Sequence, residues 1–374
     1  MKKTLLASAI CVALPGTIHA ENSTPSNGIS NELADVHNRC IVRLNQNMGK
    51  ADVNRLAQAL AIRNQTSLKH VYSNSIKGFT INMPCHAAEK AFGRNNNVVS
   101  LTPDSVISIN KGRPGGGNND PQQSSYGTGR VGGPIDGTGY TAWVIDSGVD
   151  LDHPDLNVDT SRGFTSIRNG GMDDQNGHGT HVAGTIGAID NNIGALGVAP
   201  NTTIVPVRVL DRRGSGSTSG VIAGVDHVGL NANPGDCANM SLGGGVSQVL
   251  DDAVIAAANA SGAYFVVAAG NDGDNANNHS PARANGNGVW TISAIDSNDN
   301  MPSWSNYGNP PVDYAAPGVS IFSLWKNGGT NTISGTSMAS PHACAVIMLN
   351  NGIPSTDGTA GNDPDGNPDP IISL

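Results

Sequence analysis

The chain has 374 residues, room for one large domain and a smaller one. Hydrophobic residues are 37% and aromatics 4%, against 48 glycines, so a core must be built from Ala, Val, Ile and Leu between many tight turns; this excludes a fibrous or disordered chain. The formal charge is −9 and the 21 Lys and Arg are scattered, which excludes a nucleic-acid footprint and leaves the acidity as a matter of solubility.

Lys2 and Lys3 precede a short apolar run over 5–14, Pro15 and Gly16 stop it, and Ala20 is a small residue at a cleavage point, so residues 1–20 are predicted to be a signal peptide. The run is too short to span a bilayer as a helix. No later apolar stretch is long enough for a membrane anchor, and an exported, soluble product is expected. Cys11 leaves with the signal. Cys40, Cys85, Cys237 and Cys344 then meet an oxidising compartment in which two pairs can form; four small buried thiols are the alternative.

Residues 40–110 read as a unit of their own. A strand is predicted at 40–44, and a helix at 51–62 with Val53, Leu56, Ala57 and Leu60 on one face. Residues 68–72 and 79–83 form a strand pair around Gly78, 87–92 a short helix, and 98–101 and 106–109 are β-branched and apolar. The order β-α-β-β-α-β is the ferredoxin-like arrangement. There the first strand runs antiparallel beside the third. Cys40, at the start of one, and Cys85, past the end of the other, then come within reach of a disulfide, with two unpaired thiols as the alternative. Cys237 and Cys344 are left as a second possible pair, with less geometric support. Residues 111–134, with GRPGGGNNDPQQSS inside, carry almost nothing apolar and predict an exposed linker open to nicking.

Strands and helices alternate from 140 to 350. Strands are predicted at 142–146, 203–210, 238–242, 264–268 and 289–294, and helices at 178–188, 218–230, 248–260 and 337–349. Such alternation implies a parallel sheet covered on both faces. From Asn350 the chain is rich in Asn, Gly, Asp and Pro and predicts a loose tail.

Chemistry gathers in four segments. In VIDSGVD (144–150), Asp146 ends an apolar strand, where a carboxylate faces the crevice in which α/β proteins bind ligands; a plain turn aspartate is the alternative. In NGHGTHVAGTIGA (176–188), His178 opens a small-residue helix. His178 and His181 have helical spacing for a metal, but no glutamate lies between them and no third zinc-type ligand is nearby. In SGTSMASPH (334–342), Ser337 begins a helix after a Gly-Thr turn, where free N–H groups and the positive dipole end favour developing negative charge; an ordinary N-cap serine is the alternative. In VVAAGND (266–272), Asn271 ends another strand with an amide able to donate to an oxyanion.

In this order the segments resemble the subtilisin-like (subtilase) serine proteases, closest to the subtilisin and proteinase K branch, over residues 139–349. The resemblance implies an α/β, three-layer fold with a mostly parallel sheet, preceded by a small ferredoxin-like α+β domain. It implies an endopeptidase with Asp146, His178 and Ser337 as triad and Asn271 as oxyanion donor. Residues 40–110, with KGFTINM at 77–83, resemble the family's inhibitory propeptide. The implied organisation is signal peptide 1–20, propeptide 21–110, linker and mature N-terminal segment 111–138, catalytic domain 139–350 and polar tail 351–374.

By the same resemblance, Ser241, Leu242 and Gly243 with Ala268, Ala269 and Gly270 match the walls of the pocket for the residue before the cut. Gly214, Ser215 and Gly216 match the backbone edge on which a peptide lies as an added strand. His279 is expected at the pocket's far end, and large apolar side chains are expected to be accepted. Asp155 and Asn191 match calcium ligands, completed by the carbonyls of Ile189, Ile193 and Ala195. Calcium would be structural; the chemistry needs no cofactor. Implied partners are protein or peptide substrates and the chain's own propeptide as chaperone and inhibitor, with no nucleic acid and no membrane anchor. Two departures stand out. Ala343, Cys344 and Ala345 replace the family's Val-Ala-Gly, and its final helix and strands are missing or replaced by the polar tail, which puts the C-terminal edge in doubt. An α/β-hydrolase esterase would need G-x-S-x-G and the order Ser, Asp, His, which this chain lacks. An inactive binding protein on the same scaffold is the other rival, and the four filled catalytic positions argue against it.

Overall fold

The computed structural model describes residues 31–109 and 121–374; the predicted signal peptide and the first part of the predicted linker, 111–120, lie outside the described residues. In the N-terminal unit, strands Cys40–Leu44, Leu68–Tyr72, Gly78–Ile81 and Val98–Pro103 alternate with helices Lys50–Arg63 and Cys85–Phe92. The strand order 68–72, 78–81, 40–44, 98–103, antiparallel throughout, is the predicted ferredoxin-like arrangement. Val53, Ala57 and Leu60, one face of the first helix, pack with Val42, Leu44, Phe79 and Ile81 from alternate strand positions. Cys40 lies opposite Ile81, and it bridges to Cys85 with their Cα atoms 4.8 Å apart. The segment 106–109 does not add to this sheet. Val106–Ser108 pairs instead with Ser215–Ser217 of the larger unit.

Among its described residues the larger unit is built on a ten-stranded sheet. From Val312–Pro317 through Val289–Ile295, Tyr264–Ala268, Cys237–Met240, Thr141–Asp146 and Thr203–Arg208, neighbours run parallel. Trp143 and Ile145 point to one face, where helices Thr218–Asn231 and Gln248–Ser261 lie. Ala142 and Val144 point to the other, against His178–Gly187 and Thr336–Leu349. Both faces are therefore buried, which is why these strands read as unbroken apolar runs.

Three expectations fail here. The linker is not loose beyond residue 120: Gln123–Ser124 pairs with Ala195–Leu196, and Tyr126–Arg130 is a helix with Gly127 and Thr128 buried. Its backbone supplies the anchoring that its polar side chains hide. Strands Val312–Pro317, Ile321–Trp325 and Gly329–Ile333 were not foreseen. Nor is the tail loose. Ser355–Thr359 and Pro370–Ser373 form an antiparallel pair, and the second lies parallel to Val312–Pro317 with Ile371 and Ile372 fully buried. Two apolar side chains in a polar stretch thus close the C-terminal edge of the sheet.

Cys344, the unusual residue of the Ser337 helix, is bonded to Cys237 at the start of a central strand, with Cα atoms 5.9 Å apart and a sequence separation of 107. It is accommodated by being a staple. Replacing both by Ala should lower the melting temperature at a fixed scan rate by about 10 °C, because closing so long a loop constrains the unfolded chain by about 4–5 kcal/mol in the chain-entropy account. An unchanged melting point would show the staple to be dispensable.

Candidate active site

Asp146 ends its strand and is fully buried. Its carboxylate oxygens lie 2.9 and 3.0 Å from His178 Nδ1, and Oδ1 accepts from the Ser147 N–H at 2.6 Å. The pair fixes the ring with Nδ1 toward the carboxylate and Nε2 free. The helix that carries His178 starts where it does because Asp174 caps it. Its Oδ1 accepts from the Asn176 and Gly177 N–H groups and the Ser147 hydroxyl, and Oδ2 from Thr180 N and Oγ1. Gly177 has φ +111°, and a Cβ there would lie 2.2 Å from the Trp325 ring, so only glycine fits before His178. His181 takes no part. It is fully buried, its Nε2 faces the Ile321 carbonyl at 3.0 Å, and burial, ahead of the His178 charge, lowers its pKa to about 3. It is a buried histidine held on a backbone carbonyl across the fold.

Ser337 lies in the first turn of the helix Thr336–Leu349, where backbone N–H groups lack helical acceptors. Its Oγ donates to the Ser241 carbonyl at 3.2 Å, and the Ser241 hydroxyl donates back to the Ser337 carbonyl at 2.8 Å. Among the described residues His178 Nε2 is buried without a hydrogen-bond partner, so the hydroxyl is turned from the ring in this conformation. Such bonds often form only once substrate is in place. Asn271 leads out of the strand Tyr264–Ala268, and its Oδ1 accepts from Thr336 N (2.7 Å) and Oγ1 (2.9 Å). With its oxygen committed to the serine helix, the amide presents its N–H₂ end, the end an oxyanion needs.

Leu242, Gly243, Ala268, Gly270, Asn271, His279 and Ser337 line one cavity of about 330 Å³. Ser241 sits behind its wall, fully buried. His279 stands 3.6 Å from Asp272 and 3.4 Å from Asp274, so that end of the cavity is polar. The predicted edge is in use. Ser215 and Gly216 pair antiparallel with Ser108 and Ile107, and Gly214 O accepts from Ile109 N at 2.9 Å. On the other side, Ser108 and Gly243 exchange hydrogen bonds of 3.1 and 3.2 Å. The segment 106–109 therefore lies as a middle strand between two edges, leading into the cavity of Ser337.

The predicted calcium residues also converge. Asp155 is fully buried, and burial, against its hydrogen bonds, raises its pKa to about 6. Asn191 Nδ2 donates to Asp155 Oδ1 (2.6 Å) and Ala195 N to Oδ2 (3.0 Å). Gln122, taken for linker, donates from Nε2 to the carbonyls of Ile189 (2.8 Å) and Ala195 (3.2 Å). Ile193 contributes its N–H, bonded to Asn191 Oδ1 at 2.7 Å. Five oxygens, both of Asp155, Asn191 Oδ1 and the carbonyls of Ile189 and Ala195, are thus linked here, each accepting from an amide N–H. Among the described residues there is no group of three His, Cys, Asp or Glu for a metal. Nor is any helix long and apolar enough to cross a membrane.

The family model for the subtilases matches residues 137–354. Alkaline serine exoprotease A of Vibrio alginolyticus is 52% identical over 217 residues, 58% of this chain and 39% of that protein. The extracellular serine proteinase of Thermus sp. (strain Rt41A) is 49% identical over 216 residues, 57% of this chain and 50% of that protein. The matched region thus spans half the length of these relatives or less. The crystal structure of a cold adapted subtilisin-like serine proteinase superposes with a TM-score of 0.60 at 41% identity, covering 66% of this chain and 97% of that one. The chain belongs to the subtilase family, and its α/β fold is subtilisin-like.

Proposed function

We propose that the chain is a secreted serine endopeptidase made as a self-processing precursor. The observation that carries this reading is that the Asp146–His178 pair, with its unbonded Nε2, opens one helix, while Ser337, lining a cavity with Asn271, opens the helix packed against it. His178 Nε2 takes the Ser337 proton as Oγ bonds to the substrate's carbonyl carbon. The oxyanion is held by Asn271 Nδ2 and the Ser337 N–H. The C–N bond breaks as His178 returns the proton to the leaving amine, and water then releases the acyl group. Asp146 orients the ring and stabilises its charged form. The walls of Gly and Ala leave room for a large apolar side chain before the cut. Two disulfides and the extracellular Thermus relative favour export.

Residues 21–110 are then the propeptide, whose end holds the substrate edge until it is cut. Ile109, whose N–H is on the Gly214 carbonyl, lines the cavity of Ser337, and with the propeptide ending at residue 110 the cut is taken to follow Asn110. The fragment released on maturation should end at Asn110, as read by mass spectrometry of freshly refolded precursor. A first cut several residues away, or processing only by an added protease, would contradict this.

Calcium, held by Asp155, Asn191, Gln122 and the carbonyls of Ile189, Ile193 and Ala195, would neutralise the buried carboxylate and stabilise the native state. Chelation should lower the melting temperature by several degrees, and Asp155→Ala should abolish that sensitivity. Identical melting curves with and without chelator would remove the ion from the account.

A further inference from the structure

The loop joining the two tail strands holds oxygen-bearing side chains at every second position: Asp363, Asp365, Asn367 and Asp369. Gly366, at φ +78°, turns it back on itself. The Asp363 carboxylate accepts from the N–H groups of Asp365 (3.3 Å) and Asp369 (3.1 Å), and Asp365 Oδ1 from that of Asn367 (2.7 Å). These bonds shape the loop without calling for a ligand.

Asp369 does call for one. It is fully buried, one carboxylate oxygen accepts from the Ser293 hydroxyl on the strand Val289–Ile295, and Oδ1 is buried with no hydrogen-bond partner. The charges that bear on it are Asp363 and Asp365, both negative; the Ser293 hydroxyl and the Asn309 amide offset them only as neutral donors, and no cation is among the groups that act on it. Burial first, then these two carboxylates, push its pKa up to about 7. Beside it stands Asn309, whose Oδ1 is likewise buried and unpartnered, while its Nδ2 reaches the Asn367 carbonyl only over 3.4 Å. Turning that amide by half a rotation gives up its donation toward Asp369 and brings its unpartnered oxygen to face the same carboxylate, an exchange that only a cation between the two oxygens makes favourable. A buried carboxylate with an orphan oxygen, pressed by two more and flanked by an orphan amide oxygen, is costly alone and is completed by a hard cation.

We propose that this loop binds one divalent cation of the calcium type through Asp369 Oδ1, the Asp363 and Asp365 carboxylates, the Asn309 amide oxygen and the Asn367 carbonyl. The site is separate from the one at Asp155. Among the described residues no three carboxylates already converge as a finished cage, so the ion closes the loop, drawing in the exposed Asp365 and turning Asn309. Because Asp369 is held by Ser293, the closed loop pins the strand Pro370–Ser373 to the main sheet.

Calorimetric titration with calcium chloride tests this on the full Ser337→Ala chain, which cannot digest itself under the reading above. Asp369→Asn should bind one calcium fewer per chain. Asp365→Asn, an exposed change that leaves the fold alone, should weaken one ion by about tenfold or more. Asp155→Ala should remove a different ion, so that Asp155→Ala with Asp369→Asn loses two. If Asp369 is merely a protonated acid bonded to Ser293, asparagine serves equally well. Unchanged number and affinity in both Asp369→Asn and Asp365→Asn would then overturn the proposal. Should Asp369→Asn fail to fold, Asp365→Asn decides by itself.

Discussion

Ser337→Ala is expected to lower peptide hydrolysis by about a millionfold, a magnitude carried over from subtilisin itself, in which removal of the triad serine has that effect. The loss should fall on kcat, with substrate affinity kept, because the cavity walls and the edge at Gly214–Ser217 do not depend on the hydroxyl. The fold should survive. Oγ makes one long bond to the Ser241 carbonyl, while the helix start stays tied by the Ser241 hydroxyl and by Asn271 to Thr336. The precursor should therefore accumulate intact, with the strand Val106–Ser108 still on its edge. A processed product from pure Ser337→Ala protein, free of other proteases, would remove self-processing from the account.

Asp146→Asn should lower kcat by about 10⁴-fold with little change in KM. Both carboxylate oxygens face Nδ1 of His178, and a carboxylate there can only accept, so the ring must carry its proton on that nitrogen. An asparagine of the same shape can offer N–H₂ instead, which drives the proton to Nε2 and leaves no base toward Ser337. The imidazolium formed during catalysis also loses its counter-charge. Kinetics of the variant on a chromogenic peptide check this. A loss under tenfold would mean that Asp146 is only the turn aspartate that its sequence context also allows.

The three strand-end and helix-start motifs were legible because each is local: Asp146 after an apolar run, His178 and Ser337 opening small-residue helices. The ferredoxin-like unit was legible because its helix face and strand alternation repeat over whole elements, and the Cys40–Cys85 bridge followed from its topology. What escaped depends on partners remote in sequence. Val106–Ser108 reads as a strand, but its neighbours are Ser215–Ser217 and Gly243. Gln122 looked like linker because its role is an amide across from Ile189 and Ala195. The Asp-x-Asn-Gly run from Asp174 carried a turn signal that marks the cap on the His178 helix, and it was passed over for the histidine. In the tail, a count of polar residues outweighed Ile371 and Ile372, the two side chains that decide where it lies.

The central claim is that Ser337 is an activated nucleophile rather than an N-cap serine on an inactive scaffold. A fluorophosphonate that modifies only activated serines tests it most directly, with peptide mapping of the processed protein. The account predicts one adduct per chain, on the peptide containing Ser337, absent from Ser337→Ala and nearly absent from His178→Ala. No adduct on the folded, processed chain, or an adduct on a different serine, would contradict it.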